Sequence, residues 1–200
     1  LMFTGIAEGI GEVSNLEKRD DIIRLEVIHS LNLDDLDVND SISLSGICLT
    51  VVQAGKNRFQ VEMVPETISR TTAKYWEIGS KLNLERAMLQ TTRMGGHFLQ
   101  GHVDAVIRIL KIVEYENSAL FTLEMEDSLI KYIVEKGYVG IDGLSLTVAK
   151  KYSNSIDIAL IPHTLSITNF SSKNENDNVN LEVDMIAKYV ENFTKPHINQ

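Results

Sequence analysis

The chain has 200 residues, 44% hydrophobic and 24% charged, with a formal net charge of −9 at neutral pH. That length suffices for two compact domains of roughly 100 residues each, and the acidic balance disfavours nucleic acid and anionic membrane as partners. No apolar run approaches the roughly 20 residues of a membrane helix, no secretory signal is evident, and the one cysteine cannot form an internal disulfide, so the reading is a cytoplasmic protein that binds a small molecule or another protein.

Near the start, Gly9 and Gly11 begin a dinucleotide fingerprint, but Glu12, Val13 and Ser14 follow and the third glycine is missing. Ile23, Leu25 and Val27 alternate with Arg24 and Glu26, the period of a half-buried strand. A short helix is predicted over 30–36. Ile42 and Leu44 lead into Gly46, a β-rich run continues through Leu49 to Val52, and a turn cluster fills 53–57. Phe59, Val61 and Met63 then alternate with Gln60 and Glu62. The second half repeats the pattern, with strands predicted over 106–113, 119–125, 144–149 and 156–161 and a turn at 153–155. A short helix is predicted over 128–134, with Asp127 or Ser128 as its cap. At the end Met185, Ile186, Tyr189, Val190 and Phe193 recur at helical spacing behind Asp184, which is placed to act as N-cap. This helix either covers its own barrel or joins subunits, and a solitary apolar stripe favours joining. Residues after Thr194 are polar, include Pro196 and are expected to fray.

The two halves are copies. Gly46-Ile47-Cys48-Leu49-Thr50 returns 97 residues on as Gly143-Leu144-Ser145-Leu146-Thr147. Pro65-Glu66-Thr67 returns as Pro162-His163-Thr164, and Asn83-Leu84-Glu85 as Asn180-Leu181-Glu182. Thr4-Gly5-Ile6 meets Gln100-Gly101-His102 after 96 residues. So long a period is not a solenoid unit, and short strands with frequent turns point to two small β-barrels.

A duplicated module can bind one small molecule twice. If the two molecules react together, the copies must differ at the reacting positions. Cys48 stands opposite Ser145, His102 opposite Ile6, His163 opposite Glu66, and Asp184 opposite Ala87. Cys48, as thiolate, is a strong nucleophile, although free cysteines are more often buried and inert. His102 sits among glycines that let a ligand approach the backbone, and an imidazole suits proton transfer. His97 is read as structural. Thr50, Thr147 and Ser145 offer hydroxyls for polar ligand edges, whereas Glu85 and Glu182 are read as serving the fold. The spacing of Cys48, His97 and His102 fits no standard zinc pattern, so no metal is expected.

The residues that begin at Met2-Phe3-Thr4-Gly5-Ile6, with Gly46 to Val51, Pro65-Glu66-Thr67, Gly95-Gly96-His97, Gly101-His102-Val103-Asp104, Gly140 to Val148 and Ile161-Pro162-His163-Thr164, resemble the riboflavin synthase family of the α-chain type. The resemblance runs from Met2 to about Tyr189. It implies an all-β fold of two similar six-stranded Greek-key barrels in tandem, 2–94 and 95–183, then an oligomerisation helix 184–194 and a flexible tail 195–200. It implies a transferase that dismutates two 6,7-dimethyl-8-ribityllumazine molecules by moving a four-carbon unit. The products are riboflavin and 5-amino-6-(D-ribitylamino)uracil, and no cofactor takes part. It implies a homotrimer with each site between the N-barrel of one subunit and the C-barrel of another, and association with lumazine synthase. A non-catalytic lumazine- or flavin-binding protein of the same fold is the alternative.

Carried over residue by residue, the N-barrel substrate lies against Gly5, Ile6, Ala7, Cys48, Leu49 and Thr50. It also meets a strand end of Glu62, Met63, Val64, Pro65, Glu66 and Thr67, with Phe3 and Thr4 closing the site. The C-barrel substrate lies against Gly101, His102, Val103, Lys136, Ser145, Leu146 and Thr147. Its strand end is Ile161, Pro162, His163, Thr164, Leu165 and Ser166. Ser41, Cys48, His102 and Asp184 match positions implicated in turnover: His102 for proton transfer, and Cys48 or a Ser41-oriented water for nucleophilic assistance. Ser45 departs from the family, which commonly has Asn there.

Overall fold

Alternating apolar residues curl each half of the chain into a closed barrel. The computed structural model describes residues 2–198. The first half supplies β1 (Gly9–Arg19), β2 (Ile22–His29), β3 (Ser41–Leu44), β4 (Ile47–Gly55), β5 (Arg58–Met63) and β6 (Lys81–Arg86), closed in the order β1-β2-β5-β4-β3-β6. The second supplies β7 (Ala105–Tyr115), β8 (Ser118–Glu124), β9 (Tyr138–Ile141), β10 (Leu144–Lys151), β11 (Ser155–Leu160) and β12 (Asn178–Val183), closed with the matching order. In each, the second strand pairs with the fifth and skips a hairpin, which makes the Greek key. Leu25, Val27, Phe59, Val61 and Met63 fill the first barrel. Ile107, Ile109, Phe121, Leu123, Ile156 and Ile158 fill the second, where Phe170 meets Phe121 edge to face with ring centres 5.2 Å apart. Bulges fall at matching places, after Val51 in β4 and after Val148 in β10, and sharpen the bend that closure needs.

The barrels meet back to back. Ser45 and Gly46 have φ of 45° and 82°, and Asp142 and Gly143 have 45° and 80°, so hairpins β3–β4 and β9–β10 turn through paired left-handed residues. The two tips touch, and a Cβ on Gly46 would stand 2.7 Å from the Gly143 nitrogen. Around them the repeat is a hydrogen-bonded near-symmetry. The Asn83 amide donates to the Asp142 carbonyl at 2.9 Å, and the Asn180 amide to the Ser45 carbonyl at 2.8 Å. Asn83 accepts from the Asn169 amide nitrogen, and Asn180 from that of Thr72, each at 2.8 Å. Ser45 keeps a role here, its hydroxyl accepting from the Asn83 nitrogen at 3.1 Å.

The three expected helices all change. No helix forms over 30–36; Asn32 and Asp40 side chains take backbone amides into turns, while Leu33 and Leu36 tuck under the barrel. The 128–134 helix shrinks to α2 (Asp127–Ile130), capped at Glu126, and turns follow. The last helix outruns its expected end at Thr194. This helix, α4, spans Met185–Ile198 and carries on past the expected break at Pro196. Thus 195–198 is helical, and the remainder of the expected tail lies outside the described residues. Two short helices end strands that were expected to continue: α1 (Pro65–Arg70) after β5 and α3 (Pro162–Ile167) after β11, each with proline in its first turn.

Candidate functional site

Two clusters of outward-facing polar groups form at equivalent places. In the first, antiparallel register sets Ser41 opposite Thr50 and Ser43 opposite Cys48. Strand alternation exposes Thr50, half-exposes Cys48 and turns Leu49 into the core. Burial pushes the Cys48 thiol up, with the Ser41 hydroxyl pulling the other way. Of the expected strand end, Met63 is wholly in the core, Glu62 pairs with Arg24, and Val64 is exposed. Pro65, Glu66 and Thr67 belong to α1, where Glu66 pairs with Arg70. A groove of about 560 Å³ runs beside this cluster, lined by Ser41, Asp40, Arg86, Arg93, Thr4 and Ile6 among others.

In the second cluster Ser145 lies opposite Gly140 and Thr147 opposite Tyr138. Thr147 is exposed, while Leu146 leans on the core. His97 Nδ1 lies 2.6 Å from the Ser145 hydroxyl, its ring stacked on Tyr138 at 5.1 Å between centres. Among the described residues the buried His97 Nε2 has no hydrogen-bond partner, and burial lowers the affinity of this histidine for a proton against the pull of Asp184. His97 is thus a site neighbour that sequence spacing missed; it has no repeat partner among the described residues to contrast it with. Lys136 donates to the Ala149 carbonyl at 2.5 Å, alongside β10. Ile161 and the α3 residues Pro162, His163 and Ser166 are exposed, whereas Leu165 packs partly on the core. Asp184 caps α4, accepting the Ile186 amide at 2.9 Å.

The arms that lead into the barrels are exchanged. Phe3 and Leu99 bridge each other through two backbone hydrogen bonds of 2.8 and 3.1 Å, and both are buried. Beyond the bridge, the Gly5 carbonyl accepts the Ser145 amide at 2.8 Å, and the Gly101 carbonyl accepts the Cys48 amide at 2.9 Å. Ala7 sits in the second barrel's core and Val103 packs on the first. Gly5 and Ala7 therefore lean on the second barrel beside Ser145, and Gly101 and Val103 on the first beside Cys48 with His102 between them, the reverse of the expected grouping for these residues, while Ile6 also lines the groove beside Ser41. Repeat alignment shows which residues correspond and is silent on which barrel each arm leans against. Both glycines are required, since a Cβ at either would stand 2.6 Å from Ser145 or Cys48 and each has a φ above 70°. Ser41, Cys48 and exposed His102 thus gather on one side, while Asp184 belongs with His97 and Ser145.

Each arm is tied by a buried carboxylate. Glu85 accepts the Thr4 and Gly5 amides at 2.6 and 3.0 Å and the Thr4 hydroxyl at 2.7 Å. Glu182 accepts the Gln100 and Gly101 amides at 2.7 and 3.0 Å. Each thus fixes the backbone of one arm. Burial raises Glu85 and pushes Glu182 up to about 7, with the amides opposing it. Among the described residues no three His, Cys, Asp or Glu side chains converge as metal ligands do.

The sequence matches the lumazine-binding domain family twice, over residues 4–87 and 100–184. It is 44% identical over 192 residues to the riboflavin synthase of Bacillus subtilis, covering 96% of this chain and 89% of that one. Against the riboflavin synthase of Schizosaccharomyces pombe it is 40% identical over 199 residues, covering 98% and 96%. Among solved structures it is similar to LumP complexed with riboflavin, with a TM-score of 0.83, 26% identity and coverage of 90% of this chain and 98% of that one. LumP complexed with 6,7-dimethyl-8-(1'-D-ribityl) lumazine gives a TM-score of 0.81 at 25% identity, with the same coverage.

Proposed function

The chain belongs to the riboflavin synthase family, and from that premise we propose that it converts two molecules of 6,7-dimethyl-8-ribityllumazine into riboflavin and 5-amino-6-(D-ribitylamino)uracil. The observation that carries this reading is the double domain match joined to 38–44% identity with riboflavin synthases over nearly the whole chain. Each barrel takes one lumazine on its outward cluster, beside Cys48 and Thr50 in the first and beside Ser145 and Thr147 in the second. The clusters match in shape and differ in reactive groups, as donor and acceptor must.

The chemistry removes a proton from the acidic C7 methyl of one lumazine and adds a nucleophile transiently at C7 of the other. His102, exposed on its arm beside the Cys48 strand, moves the proton. The Ser41 hydroxyl orients a water for the addition, because the Cys48 thiol, pushed up by burial, is mostly protonated at neutral pH. Holding two substrates in a reactive stack supplies much of the rate. Asp184 lies with the second cluster, so a complete site takes Ser41, Cys48 and His102 from one subunit and Asp184 from a neighbour, in a homotrimer built on the exposed face of α4. Anaerobic incubation with the lumazine tests the reading. Two lumazines lost per riboflavin gained supports it; tight binding with no turnover supports instead a binding protein, as the complexed LumP is among its fold neighbours.

A further inference from the structure

We propose that Glu182 is a positioning residue for turnover, its ionised carboxylate holding the arm that presents His102 against the Cys48 strand. This rests on the reading above, since His102 is taken there as the proton carrier. The linkage is short. Glu182 on β12 of the second barrel grips the Gln100 and Gly101 amides, and the Gly101 carbonyl in turn takes the Cys48 amide on β4 of the first barrel. His102 is the next residue, exposed and with no barrel strand of its own. Room for the grip exists because β9 carries Gly140 alongside, where a Cβ would stand 3.2 Å from that of Glu182 and 2.7 Å from Leu99.

The matching clamp on the other arm is stronger by one donor. Glu85 holds the Thr4 hydroxyl as well as two amides, whereas Gln100, at the equivalent place, gives Glu182 no hydroxyl. The groups facing Glu182 are the two arm amides, Lys188 from α4, which favours the charged form, Asp104 from the arm, which opposes it, and the Cys48 thiol of β4, which the Glu182 charge holds toward its protonated form. Lys188 itself pairs with Asp104 at 2.7 Å. Burial dominates and leaves this carboxylate titrating about pH 7. When it takes a proton, one oxygen becomes a donor and the arm amides lose a charged acceptor, so the grip weakens. The arm bearing the reactive histidine is therefore the looser of the two, and the one that neutral pH can release.

The test uses the full chain as wild type, Gln100→Thr and Glu182→Gln. Turnover at saturating lumazine is followed across pH, together with the rate at which iodoacetamide alkylates Cys48, the sole thiol. Wild-type kcat is expected to fall as pH drops through about 7. Gln100→Thr, which supplies the hydroxyl that Thr4 gives Glu85, is expected to move that midpoint to lower pH. Glu182→Gln is expected to abolish this limb, hold kcat roughly ten- to a hundredfold down, and speed Cys48 alkylation as the arm lifts, the rates being compared at their alkaline plateau, where loss of the Glu182 charge no longer alters thiol ionisation. A limb unmoved in Gln100→Thr, or alkylation unchanged in Glu182→Gln, overturns the proposal. Should Glu182→Gln fail to fold, the Gln100→Thr midpoint decides alone. Wild-type chain that makes no riboflavin at any pH defeats the functional reading instead, and the alkylation rates still judge the arm.

Discussion

Three side chains near the first cluster make separable demands. His102 is exposed on an arm with no strand to hold it, so its imidazole is free to meet substrate, and His102→Gln removes the proposed proton carrier while leaving the pocket wall. The expected result is kcat down by about a hundredfold or more, with lumazine affinity within a few-fold, measured by steady-state kinetics and fluorescence titration. Cys48 stands differently, because burial keeps its thiol protonated. Cys48→Ser keeps a hydroxyl of similar size in place, and turnover is expected to stay within about tenfold of wild type by the same assay. Glu182 makes a demand on stability. Its value rises from 4.5 unfolded to about 7 folded, so the fold prefers the neutral form. That preference stabilises fully below about pH 4.5 and is lost as pH rises through about 7, a swing of about 3 kcal/mol at most. Urea unfolding at about pH 5 and pH 8 is expected to show wild type losing stability on the alkaline side, and Glu182→Gln losing correspondingly less. The same charge that anchors the arm weakens the barrel.

At the scale of elements, the joined hairpin tips are the part least able to change. Gly143 has φ of 80° and its Cα side faces the Gly46 backbone, so Gly143→Ala forces a left-handed alanine against a fixed neighbour, 2.7 Å from a nitrogen. It is expected to cost about 2 kcal/mol or more, read as a lower Tm in calorimetry, while Gly79→Ala, in open space at φ of 93°, bears the backbone strain alone. The strands and the repeat were legible because period-two alternation and a matched series of glycines, prolines and asparagines are local signals. The helix expected over 30–36 failed because Asn32, Asp34, Asp35, Asp37 and Asp40 favour turns, a composition that outweighs Leu33 and Leu36. Pro65 and Pro162 did mark helix starts, but the strands before them masked it. The exchanged arms were out of reach. Gly5 and Gly101 look alike in sequence, and only the partner of each carbonyl shows which barrel it serves.

For the whole molecule, the two clusters lie on one chain yet divide the residues proposed for the reaction, and α4 offers the means of joining chains. Its Ile186, Tyr189, Val190 and Phe193 are 59, 53, 55 and 68% exposed, far more apolar surface than a helix end leaves in water without a partner. The opposite side is tied down, with Glu191 held by Lys131 and Tyr132 and Lys188 paired to Asp104. A helix so anchored presents its apolar face in a fixed direction, as an assembly contact requires. Val190→Glu with Phe193→Glu places two charges on that face without touching either barrel core, so each chain keeps its fold. Sedimentation is expected to show wild type as the proposed trimer and the double variant as monomer, with circular dichroism unchanged. Lumazine is expected still to bind the separate barrels, while riboflavin formation falls with the assembly, because the partner's Asp184 side no longer meets Ser41, Cys48 and His102. A monomer retaining full turnover would mean instead that one chain brings its own two lumazines together, and the trimer would then be dispensable to the chemistry.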